Sequence, residues 1–188
     1  MKTFLIQLFE NPTEYLSNLI EKRKFSAAFF CYALGALSVY FSLKLCSQKG
    51  TNFGSFIFVF LIWLLFNILA NFVLAANTNM FLDFEKNTKQ NKAAGIFILL
   101  GISQLLLTLL IPWSLTARAF GQIAYLTPLI FFIIFILQIT FFLNLLKKIY
   151  GVSRRAALIN LLLASVLPFI LAGLFVVFSI GFLTILFA

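Results

Sequence analysis

Seven polar side chains lie inside otherwise apolar sequence: Asn67, Asn71, Gln104, Thr108, Gln138, Asn144 and Asn160. Asn67 and Asn71 stand one helical turn apart in "FNILANF". Amides donate and accept hydrogen bonds without gaining or losing a proton, so their chemistry is recognition. Catalytic groups are scarce elsewhere. The chain has no histidine, which removes the commonest general base and metal ligand. Its five acids are Glu10, Glu14, Glu21, Asp83 and Glu85, all outside the apolar runs. Asp83 and Glu85 in "FLDFEKNTK" form a candidate carboxylate pair, but Lys86 and Lys89 beside them make a solvated loop the simpler reading. There is no glycine-rich phosphate loop and no cysteine cluster. The expectation is a protein that is not an enzyme and uses no cofactor or metal.

The elements that must position these amides follow from composition. Of 188 residues, 63% are hydrophobic and 10% charged, and mean hydropathy is +1.09. Ordinary globular domains carry about a quarter charged residues, and one domain of this size leaves too much surface in water to hide such a sequence. Bilayer hydrocarbon must be the solvent. The net charge of +9 forms no basic face of the kind that binds nucleic acid, so orientation in a membrane is its expected role, with attraction to anionic lipid as a consequence. Residues 1–24 have too short an apolar stretch for a cleaved signal, and three glutamates interrupt it.

Five stretches can cross about 30 Å of hydrocarbon, which takes about 20 helical residues each. They lie near Phe25–Cys46, Phe56–Ala76, Ala93–Trp113, Ile123–Leu146 and Ala156–Phe187. Each must be helical, because lipid offers backbone groups no partner. The last is long, and Pro168, Gly173 and Gly181 give it a kink and freedom. Cys31 and Cys46 fall in one helix about 22 Å apart, too far for a disulfide. Pro112 and Trp113 close the third span, Pro128 lies just inside the fourth, and Trp113 with Tyr125 flank the outer loop as interfacial anchors do.

Charge sets the orientation. With the N-terminus inside, eleven of the fourteen cations fall in cytoplasmic segments, among them Lys147, Lys148, Arg154 and Arg155 at one turn. Lys44, Lys49 and Arg118 alone are external. The positive-inside rule favours this arrangement strongly. The expected fold is thus an all-α integral membrane protein: a five-transmembrane-helix bundle with its N-terminus in the cytoplasm and its C-terminus outside.

Two units are expected. Residues 1–24 form a cytoplasmic segment and residues 25–188 the transmembrane domain. In the first, "NPTE" reads as a helix start, with Asn11 as N-cap, Pro12 at the first position and Glu14 at the third. Tyr15, Leu16, Leu19 and Ile20 then share a face, giving a short amphipathic interfacial helix. Continuation of the first span's helix into water is the alternative.

In the expected topology Asn67, Asn71, Asn144 and Asn160 lie at similar depth in the cytoplasmic leaflet, with Gln104, Thr108 and Gln138 nearer the middle. Two readings stand. Amides bond across helix bundles, contributing roughly 0.6 kcal/mol each. Alternatively, the four asparagines line a polar groove that accepts a lipid head group or a partner helix.

Three segments carry a family likeness: "LFENPTEYLSNLIEKRKFSAAFFCYALG", with its "NP" helix start; "GIFILLGISQLLLTLLIP"; and "LLKKIYGVSRRAALINLLL", whose K-x-Y-G-x-S-x-x-x-A hinge is the most telling. The chain resembles the Yip1 domain family of five-span membrane proteins, over nearly its whole length. The resemblance implies a five-helix bundle with a cytoplasmic N-terminus, in agreement with the charge count. Eukaryotic members work with Rab GTPases in vesicle traffic through a long soluble N-terminal region. With residues 1–24 ahead of its first span, this chain looks more like the compact bacterial members. No catalytic or ligand residues carry over.

The expected function is a non-enzymatic multi-pass protein of the bacterial inner (cytoplasmic) membrane. It would act by binding partners within the membrane, as an accessory subunit of a transport or envelope/trafficking machine. Its expected partners are membrane lipids, other membrane proteins or further copies of itself, and no nucleic acid. The alternative is lipid or small-solute movement along a polar groove between helices. Membrane shaping by the N-terminal helix is a third class.

Overall fold

A computed structural model describes residues 12–47, 53–86 and 92–168. These residues are helical apart from short turns, with no strand among them. Helix α1 is Pro12–Glu21, α2 is Phe25–Ser47 and α3 is Phe53–Lys86. Helix α4 (Ala93–Ser103) runs through a 3-10 segment, Gln104–Leu109, into α5 (Leu110–Ala119). After a second 3-10 segment, Gly121–Leu126, comes α6, Thr127–Tyr150. Helix α7 covers 154–168. Among the described residues four stretches are long and apolar enough to cross a membrane: Phe25–Leu45, Phe56–Leu82, Ala93–Ala119 and Thr127–Tyr150. The rest of the expected fifth span, with Gly173 and Gly181, lies outside the described residues, as do the N-cap Asn11 and Lys89.

The bundle is organised around the third long helix, Ala93–Ala119, which packs against α2, α3 and α6. Partner residues give the directions. Tyr40 stacks on Phe56 at 4.9 Å, Phe72 meets Phe97 at 6.2 Å, and Asn79 Oδ1 accepts from the Lys92 backbone N–H at 2.7 Å. Helix α3 is therefore antiparallel to both α2 and the third long helix. Tyr32 donates to the Phe97 carbonyl at 2.9 Å, and Gly35 lies against Gln104, so α2 runs parallel to the third helix. Phe97 is the aromatic centre of this contact, touching Phe25, Phe29, Tyr32 and Phe72.

Helix α1, Pro12–Glu21, contains the Pro12 and Glu14 of the "NPTE" signal. It is a separate helix and not a continuation of α2: the backbone turns at Arg23, in the left-handed region at φ 45°. Its apolar face is occupied. Leu16 and Leu19 are buried in the main core, with Tyr15 and Ile20 packed beside them, against α4 and α6. Glu14, Asn18 and Glu21 face outward.

The turn after α6 explains the most telling sequence motif. Gly151 caps α6 in the left-handed conformation, φ 65°, and its N–H returns to the Lys147 carbonyl at 3.0 Å. Val152 tucks into the core. Ser153 Oγ then accepts from the Ala156 N–H at 3.2 Å, the N-cap pattern that starts α7. Lys147 and Lys148 sit where a helix C-terminus favours cations. Lys92 lies over the Tyr150 ring at 5.5 Å, and Ile20 and Tyr150 both crowd Gly95. The ends of α1 and α6 and the start of α4 thus meet at one end of the bundle. That end carries Lys22–Lys24, Lys92, Lys147, Lys148, Arg154 and Arg155.

At the other end, Lys44 Nζ lies 5.8 Å from the Tyr40 ring centroid, and Trp113 Nε1–H donates to Thr127 Oγ1 at 3.3 Å. Three of the expected spans have other bounds, and the fourth runs Thr127–Tyr150, four residues later at each end than Ile123–Leu146. The third helix does not close at Trp113 but continues to Ala119. A proline cannot donate and crowds the carbonyl four residues earlier. Here the 3-10 segment ending at Leu109 precedes Pro112 and tightens the turn that would clash. Helix α3 continues ten residues past Ala76 to Lys86.

Candidate intramembrane cleft

Helices α3 and α6 pack on different sides of the third long helix and make little contact with each other. Between them is a cavity of about 440 Å³. Ser103, Gln104 and Leu107 form its floor, with Ala36 and Val39 of α2 behind. Trp63, Asn67 and Asn71 line one wall; Phe135, Gln138 and Phe142 line the other. Leu161 and Ser165 of α7 also border it. Among the described residues, none that lines it is ionisable.

The amides of the floor and first wall form one knot. Asn67 Nδ2–H donates to Gln104 Oε1, and Gln104 Nε2–H donates back to Asn67 Oδ1, both at 2.8 Å. Asn71 Nδ2 donates to the same Asn67 Oδ1 at 2.6 Å and to the Asn67 carbonyl at 2.8 Å. Gln104 is 96% buried, being 4% exposed. It opens the 3-10 segment, where Ser103 Oγ donates to the Leu100 carbonyl at 2.7 Å and Thr108 Oγ1 to that of Leu105 at 2.6 Å. These hydroxyls bond to the helix that bears them, a back-bonding that bends helices. Gly35 lets α2 approach: a Cβ there would come within 2.8 Å of Gln104 Oε1 and 2.9 Å of its Cβ.

Of the four asparagines singled out from sequence, Asn67 and Asn71 border the cleft and Asn144 and Asn160 do not. Asn67 lies level with its partner Gln104, deeper than Asn144 and Asn160. Gln104 is eleven residues into its helix from Ala93, about 17 Å from the cationic end at 1.5 Å per residue, and Gln138, twelve residues before Tyr150, is about 18 Å from it. Asn144 and Asn160 lie only about 9 Å from that end by the same rise. Asn144 is half-buried and Asn160 buried, outside the cleft. Asn77 Nδ2 contributes a bond absent from the sequence reading, to the Ala164 carbonyl at 3.3 Å, which ties α3 to α7.

This chain matches no protein-family model, no curated protein and no solved structure. The cleft therefore has to be interpreted from its own chemistry. Among the described residues no group of His, Cys, Asp or Glu could hold a metal ion, and the side chains of Asp83 and Glu85 lie outside those described. What the cleft offers is shape, apolar surface and amide hydrogen bonds midway along the helices.

Proposed function

We propose that this chain is a non-enzymatic multi-pass protein of the bacterial inner membrane, of Yip1 type, that binds a lipid or small solute between its helices. The proposed topology has five spans with α1 and the cationic turns at the cytoplasmic face. The cleft between α3 and α6, with an amide knot at its floor, carries the functional reading. Its volume of about 440 Å³ lies within the range of small-molecule sites, about 300–1,000 Å³.

A photoreactive residue in place of Trp63, at the cleft wall, tests this in native membranes. Lipid or small-molecule adducts are expected. Adducts made only with a second polypeptide would favour partner binding instead.

That second reading, an accessory subunit bound to another membrane protein, draws on the outer face of α3. Phe58 is 66% exposed, Leu65 59% and Leu69 54%, and none of the three lines the cleft, which leaves an apolar surface for lipid or a neighbouring helix. Crosslinking from position 58 distinguishes the two: a discrete heavier band marks a partner, and a monomer alone marks a lipid-facing surface.

A further inference from the structure

Resting on that reading of the cleft, we propose that its ligand is an uncharged amphiphile, a long-chain alcohol or a glyceride, whose hydroxyl or carbonyl head is held by Asn71, Gln104 and Gln138.

Three observations select this chemistry. The first is unused hydrogen-bonding capacity. Asn71 acts only as a donor, so its Oδ1 accepts nothing among the described residues. Gln104 Nε2 gives one hydrogen to Asn67 and has a second. Gln138, across the cleft, has no hydrogen-bond partner among the described residues. Asn71 and Gln138 are half-buried, and an amide without a partner is costly where no water competes. A hydroxyl both donates and accepts, so one head group can answer Asn71 Oδ1 and an amide N–H together.

The second is charge. Among the described residues no lining side chain is ionisable, so a phosphate or ammonium brought here would find no charged partner among them. The third is depth. Gln104 and Gln138 sit about 17–18 Å from the cationic end by helix rise, near the centre of about 30 Å of hydrocarbon. Charges at that depth are expensive, whereas a neutral hydroxyl loses little that the amides do not restore. The remaining wall, with Trp63, Phe135 and Phe142, suits an acyl chain.

The chain has two tryptophans, and Trp113 is outside the cleft, so Trp113→Phe leaves Trp63 as sole reporter. The protein is reconstituted into phosphatidylcholine vesicles and titrated with dibrominated dioleoylglycerol, a quencher. Saturable quenching is expected at mole fractions where dibrominated phosphatidylcholine quenches only in proportion to its amount. Gln138→Leu should raise the half-saturation point about three- to tenfold with no loss of thermal stability, because that amide has no partner to lose. Gln138→Met, closer in shape, should do the same.

Saturable quenching by brominated phosphatidylcholine at the same mole fraction would overturn the uncharged-head claim and leave the cleft reading intact. Half-saturation unchanged in both Gln138 variants would overturn the assignment of the amide. No saturable component with either lipid would overturn this proposal and the cleft reading together.

Discussion

Asn67 and Gln104 exchange two hydrogen bonds of 2.8 Å each across the contact between α3 and the third long helix. The pair lies near the middle of both helices, where neither side chain can reach water by extending along the helix. It fixes the register of α3 and sets the floor of the cleft. The same two residues therefore belong to stability and to recognition, and variants must separate the roles.

Gln104→Leu should lower stability by about 1–2 kcal/mol, toward the upper end of values for amide pairs in membranes, since it also strands Asn67 Nδ2. The double variant Asn67→Leu with Gln104→Leu should lose less than the two singles combined, with a coupling of about 1 kcal/mol. Reversible unfolding in mixed micelles measures this. Strictly additive losses would mean that the pair is not formed.

Gly35→Ala should destabilise by about 1–3 kcal/mol, the usual cost of overpacking, because the new methyl needs space held by Gln104. Gly54→Ala is the control, with nothing within 4 Å of the added Cβ. Equal stability of the two variants, read from thermal unfolding in detergent, would contradict the close approach of α2 to Gln104.

At the cationic turn, Gly151→Ala forces a Cβ into the left-handed region and should cost about 1–2 kcal/mol. Gly151→Asn should cost less, since asparagine tolerates that conformation. The order Gly, Asn, Ala in unfolding midpoint is the expected readout.

Tyr32→Phe removes the buried bond to the Phe97 carbonyl while keeping the ring against Phe97 at 4.9 Å. A loss of about 0.5–1.5 kcal/mol is expected. A variant with wild-type stability would show that the hydroxyl contributes nothing there.

The long helices are legible in the sequence because hydrocarbon leaves the backbone one economical solution, and runs such as "FIFVFLIWLLF" permit no other. Helix α1 is legible for the same kind of reason, since "NPTE" supplies its own cap chemistry. Separation of α1 from α2 is not, because nothing in "EKRK" announces a left-handed Arg23; the break follows from docking Leu16 and Leu19 into the bundle. The pairing of Asn67 with Asn71 is readable from their spacing. Counting depth from helix ends misplaces Asn67 and hides its partner Gln104. Helix α3 runs on to Lys86, so Asn67 sits nearer mid-membrane than a span ending at Ala76 suggests. Proline misleads similarly at position 112, where a 3-10 segment absorbs what looks like a stop. One consequence is practical. From sequence, Asn67→Leu and Asn144→Leu are the natural probes of a groove, with impaired function and unchanged stability. Asn67 holds two neighbours and Asn144 lies outside the cleft, so Gln138→Leu is the cleaner probe.

The central claim is that the amide cleft lies within a bilayer, with the cationic turns on its cytoplasmic side. In a background with Cys31 and Cys46 replaced, single cysteines at Arg23→Cys, Ser153→Cys and Phe120→Cys can be labelled from either face of oriented membrane vesicles. The expected result is labelling of positions 23 and 153 from the cytoplasmic side only and of position 120 from the opposite side only. Reaction of all three from one side, or of 23 and 153 from opposite sides, would contradict it.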